Sequence, residues 1–131
     1  AFGEVLRQLS ATKTPIMVDA SQPGDPTTIG KIAAQYPAPV ILNGVNTENL
    51  SEMIAVMASM PNLMVETHEL HVPGGLEVIA AKVGTERIIF GSGAPRRSMA
   101  SSLHYILDSY FPDEDKQLML SGNLKRALGV G

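Results

Sequence analysis

Ile16, Val40, Met64 and Ile88 stand 24 residues apart, and each lies in a short apolar run. The runs Ile16-Met17-Val18, Val40-Ile41-Leu42, Leu63-Met64-Val65 and Ile88-Ile89-Phe90 have strand length and are bounded by turn residues. The interval holds one strand, a helix of about three turns and two tight loops. Between the runs the apolar residues change to helical spacing. Ile29, Ile32, Ala33 and Tyr36 form one such stripe, and Leu50, Met53, Ile54 and Met57 a second. Leu76, Ile79, Ala80 and Val83 form a third, and Met99, Leu103, Ile106 and Leu107 a fourth. Phe2, Val5, Leu6 and Leu9 open the chain with helical spacing, and Leu118, Leu120, Leu124 and Leu128 close it after a cap at Asp113. Asp25-Pro26, Asn46 or Thr47, and Ser98 are the expected caps of the inner helices.

Strands alternating with helices imply parallel pairing through right-handed crossovers. Four such units build either an open doubly wound sheet or half of a closed barrel, and periodicity does not choose between them. Of the 131 residues, 44% are hydrophobic, enough for a core, and the seven methionines read first as core filler. A net charge of −3 with scattered Lys and Arg excludes a basic nucleic-acid surface. No apolar run approaches a membrane span, and no signal-peptide pattern opens the chain. The absence of cysteine removes disulfides, thiolate nucleophiles and Cys-based zinc sites. A cytoplasmic location is the default expectation.

Three motifs decide between the two architectures. Thr85-Glu86-Arg87-Ile88-Ile89-Phe90-Gly91-Ser92-Gly93-Ala94-Pro95 resembles the last-strand pattern E-R-I-L-F-G-S-D-x-P of the amidohydrolase family, in its amidohydrolase-related branch. Gly122-Asn123-Leu124-Lys125-Arg126-Ala127-Leu128-Gly129 is similar to that branch's closing motif G-N-A-x-R-L-L-G. Asn62-Leu63-Met64-Val65-Glu66-Thr67 resembles its seventh-strand pattern N-V-Y-x-D-T, and the order and spacing of the three agree. The resemblance implies the C-terminal half of a (β/α)₈ TIM barrel: strands five to eight plus a terminal helix, with the N-terminal half absent. The start at Ala1, directly in an amphipathic segment, fits that expectation.

In such a barrel the active site lies at the C-terminal strand ends. The family's metal ligands are a His-x-His on the first strand, a His on each of the fifth and sixth, and an Asp on the eighth. Here those last three positions carry Asp19, Asn43 or Gly44, and Gly93. No metal site is therefore expected in this half, and zinc only if the other half supplies ligands.

The candidate catalytic residues are Asp19, Glu66 and His68, and the candidate substrate-binding residues are Asn43, His71, Arg96 and Arg97. Glu66 and His68 share one strand face, where a carboxylate and an imidazole can act as acid and base. The plainer alternative is a hydrogen-bonded pair at a strand end, with His71 in the loop beyond. Asp19 is equally explained as a turn cap for Ser21, and Asn43-Gly44 as a turn needing positive φ. Arg96 and Arg97 precede a helix start suited to a carboxylate or phosphate, and are otherwise a solvated pair on the rim. His104 is expected to be structural or exposed.

The resemblance implies hydrolysis of a C–N or C–O bond, or decarboxylation, of a small carboxylated substrate at a diverged site. The alternative is an inactive barrel serving as a binding or structural subunit. Ile16, Met17, Val18, Ile41 and Ile89 are too apolar to face water, so the expected partner is the missing N-terminal half or a second copy.

Overall fold

The computed structural model describes residues 1–130. Helix α1 (Phe2–Leu9) leads into β1 (Ile16–Asp19), followed by α2 (Asp25–Ala33), β2 (Val40–Asn43) and α3 (Leu50–Ser59). Then come β3 (Leu63–Glu66), α4 (Gly75–Val83), β4 (Ile88–Ile89) and α5 (Met99–Leu107). A terminal helical stretch comprises α6 (Asp113–Gln117), a π-helical segment over Leu118–Gly122, and α7 (Asn123–Leu128). The four strands form one parallel sheet in the order β1-β2-β3-β4, the sequential order of the half-barrel that the three motifs imply. Ile16 pairs with Val40, Val40 with Leu63, and Val65 with Ile88. The fourth strand is two residues long, shorter than the expected run Ile88-Ile89-Phe90.

Alternation along the strands sorts side chains into two layers. Val40, Leu42, Leu63, Val65 and Ile88 face the helices and are fully buried with Met53, Met57, Leu76, Ile79 and Ile106. Ile41, Met64 and Ile89 point to the opposite, concave face, where Leu124 and Ala127 of α7 pack on them. That contact corrects the expectation that Ile41 and Ile89 stand open, since each is almost fully buried. Ile16 and Val18 are half-buried against the helix-side core, and Met17 alone of the five is exposed, at 54%.

The helix stripes are narrower than their spacing suggests. Ile32, Met99 and Leu107 are exposed, although Ile29, Ala33 and Ile106 beside them are buried. The caps differ as well. Gly24 and Asn49 precede α2 and α3, whereas Asp25 is the first helical residue, and Pro112 precedes Asp113. Asn46 acts one turn earlier: its Oδ1 accepts from Glu48 N–H at 2.9 Å, and its own N–H donates to Asn49 Oδ1 at 3.0 Å. Ser98 is the N-cap residue of α5, without a side-chain cap bond.

Non-local bonds tie the elements together. Arg87, at the start of β4, donates to the carbonyls of Leu63 (2.9 Å), Met57 (2.8 Å) and Met60 (2.6 Å). Asn123, fully buried, donates to the carbonyls of Thr85 (2.7 Å) and Ile88 (2.8 Å), which fixes α7 at the N-terminal end of β4.

Candidate active site

The C-terminal ends of the strands surround a polar cavity of about 700 Å³, lined by Asp19, Asn43, Asn46, His68, Glu69 and Arg96 among others. Beneath it a more apolar recess of about 390 Å³ runs down the concave face past Met17, Ile89, Pro95 and Leu124. Asn43, His68 and Arg96 border both spaces. Parallel strands in register bring Asp19 beside Asn43, so side chains far apart in sequence meet here.

Glu66 ends β3 and is 4% exposed. Its Oε1 accepts the backbone N–H of His68 at 2.8 Å, and its Oε2 pairs with His68 Nδ1. A carboxylate accepts, so Nδ1 carries the proton and Nε2 is the ring nitrogen left for other partners. The nearest charged group to Nε2 is Glu69, with Oε1 at 3.5 Å. Glu69 is in turn held by Arg97, which donates through Nε at 3.2 Å and through Nη2. The Arg97 hydrogen bond is the main reason that the Glu69 carboxyl is held below the usual range, against the opposing effect of burial.

The remaining candidates divide. Asp19 is at the mouth, but its Oδ2 accepts from Ser21 Oγ at 3.1 Å, the turn-capping geometry. Asn43 lines both cavities, and Gly44 beside it takes φ +80°, the conformation that the turn demands. His71 is not brought to the mouth. Its Nε2 is 2.9 Å from the carbonyl of His68 and its ring lies 5.6 Å from that of Tyr105. It borders a separate surface recess with Arg96, Arg97, Ser98 and Ser101. Arg97 is committed to Glu69, whereas Arg96 has no side-chain hydrogen bond or ion pair among the described residues and faces three recesses. His104 is on the exposed side of α5, with Nδ1 3.2 Å from Asp108. Residue spacing does not single out Glu69, although its place next to His68 in the chain is a signal, nor Gly91, which packs against Glu66.

The family's metal cage does not fit these residues. Among the described residues no group of three His, Cys, Asp or Glu side chains stands close enough to hold an ion. Gly93, which the resemblance aligns with a metal-ligand position, has φ +69°, and a Cβ there would lie 2.8 Å from Arg97 Cγ and 3.2 Å from His68 Cβ. The space in which a ligating carboxylate would start is filled by the stem of a cation.

No family model and no curated protein matches the chain. Solved structures do. A TIM-barrel protein of unassigned function from Bordetella bronchiseptica superposes with a TM-score of 0.80 at 19% identity, over 96% of this chain and 49% of that one. The 5-carboxyvanillate decarboxylase of Sphingomonas paucimobilis gives 0.71 at 14% identity, over 99% and 53%. A 2,6-dihydroxybenzoate decarboxylase, solved with 2,6-dihydroxybenzoate, gives 0.70 at 10% identity, over 98% and 55%. The chain spans about half the length of the solved structures it matches. With four parallel βα units in chain order, it has the fold of half a TIM barrel.

Proposed function

We propose that this chain supplies part of the active face of an amidohydrolase-like barrel acting on a small carboxylated substrate, with decarboxylation as the best-supported reaction. The observation that carries the reading is His68, fixed through Nδ1 by buried Glu66 and bordering both the polar mouth and the apolar recess. A flat apolar body fits the recess between Met17, Ile89 and Pro95, and its polar end meets Asn43 and the uncommitted Arg96. As carbon dioxide leaves, the electron pair of the broken C–C bond stays on the ring carbon, and His68, its Nδ1–H held by Glu66, takes a proton from solvent on Nε2 and passes it to that carbon. Glu66 stabilises the imidazolium and holds its orientation. The decarboxylases among the structural neighbours support this at the level of fold alone. Hydrolysis of a C–N or C–O bond is the family's other reaction class, and Asp19 would be its carboxylate. Incubating the protein with a panel of hydroxybenzoates and carboxyvanillate, and following carbon dioxide release, tests the proposal. His68→Gln should lower any release by about 10²–10⁴-fold, and no turnover across the panel counts against the proposal.

A second reading, an inactive barrel kept as a binding subunit, is favoured by Gly93 and by the occupied space around it. In either reading we propose the other four βα units, or a second copy, as the partner along β1. That strand has one unpaired edge, and Met17 beside it is exposed.

A further inference from the structure

Gly91 follows β4 and is not in the left-handed region, so its backbone does not call for glycine. The requirement is space. A Cβ built on residue 91 would fall on Oε1 and Cδ of Glu66 and 2.9 Å from its Cγ. The Glu66 side chain therefore lies across the backbone of β4, in the volume that any other residue at position 91 would claim. Two further contacts fix this crossing: Thr67 N–H donates to Ile89 O at 3.0 Å, and Gly91 N–H donates to Thr67 Oγ1 at 3.2 Å. They clamp the ends of β3 and β4, so the backbone has little freedom to retreat. Glu66 is buried and its two oxygens are spent on His68.

We propose that Gly91 is a positioning residue for the candidate site: its missing side chain admits the Glu66 carboxylate to His68 Nδ1 and thereby selects the His68 tautomer that presents Nε2. The inference rests on the reading of His68 as the acid–base group, but its test does not use turnover. A neutral imidazole without a partner favours the proton on Nε2, so the Nδ1–H form reports the Glu66 contact directly. The ¹⁵N shifts of His68 in the labelled 131-residue chain, assigned with His71→Gln and His104→Gln, distinguish the two forms.

The native chain should show Nδ1–H at His68, and Glu66→Ala should convert it to Nε2–H. Gly91→Ala should produce the same conversion with Glu66 still present. Its cost in melting temperature should shrink sharply in the Glu66→Ala background, where the added methyl group has room. If Gly91→Ala alone does not fold, the double variant should fold as well as Glu66→Ala does. Retention of the Nδ1–H form in Gly91→Ala, or an equal melting-temperature loss in both backgrounds, would overturn the proposal. An inactive protein showing the expected shifts would sink the catalytic reading and leave the positioning role standing.

Discussion

The carboxylate of Glu52 on α3 accepts both the backbone N–H of Thr27, at 3.0 Å, and its hydroxyl, at 2.6 Å. It also accepts Gly24 N–H at 2.8 Å, so a side chain from the next βα unit caps α2. The Thr27 hydroxyl, then the Gly24 N–H, hold the Glu52 carboxyl below its ordinary 4.5, with burial opposing them. A lowered folded-state value means that the stabilisation is complete above the unfolded-state value and is lost as pH falls through the folded one. The melting temperature of the native chain should therefore fall toward that of Glu52→Gln below about pH 4.5. Thermal melts of both from pH 3 to 7 check this, and a constant gap across the range would refute it.

Arg87 satisfies three carbonyls at the end of α3 and the start of β3. Arg87→Met keeps much of the stem but leaves those carbonyls without their charged donor. The expected loss is about 3 kcal/mol, since hydrogen bonds to charged groups contribute more than neutral ones. Urea denaturation of both chains measures it, and a change under about 0.5 kcal/mol, the range of ordinary surface substitutions, would contradict the clamp.

Leu124 and Ala127 cover the apolar concave face. Leu124→Asp should destabilise the chain by about 2 kcal/mol or more and expose Ile41, Met64 and Ile89 to association. Light scattering at micromolar concentration should then show higher mass for the variant than for the native chain. Equal mass and equal stability would place α7 elsewhere.

Gly93→Asp places a carboxylate at the position that the resemblance to the amidohydrolase family aligns with a metal ligand. Because Arg97 and His68 fill the space and φ is +69°, the variant should lose stability and gain no stoichiometric zinc. Elemental analysis after dialysis decides the matter. Tight zinc in Gly93→Asp would show that the cage still assembles.

His68→Gln should lower turnover of any substrate found by about 10²–10⁴-fold, with substrate binding little changed. Comparison of kcat with KM separates this from a structural role. A selective rise in KM would instead make His68 a binding contact.

Much of this architecture is legible along the chain because its causes are local. The alternation of short apolar runs with apolar residues at period 3.6 determines four strands, their helices and their parallel sense, whereas the order β1-β2-β3-β4 follows from the three motifs. The same locality brings Glu66 and His68 together, since they are two residues apart at one strand end. What the tertiary structure alone decides depends on partners distant in sequence. Spacing gave Ile32, Met99 and Leu107 the same standing as Ile29 and Ile106, but a helix buries only the stripe that meets a neighbour. The terminal leucines promised an amphipathic helix without saying that Leu124 would turn to the concave face and cover Ile89. His71 lies three residues from His68 in the chain, but the loop carries it to another recess. Glu52 at α2, Arg87 at α3 and Gly91 under Glu66 have no local signal, because each answers an unsatisfied donor, an unsatisfied acceptor or a filled volume supplied by another element.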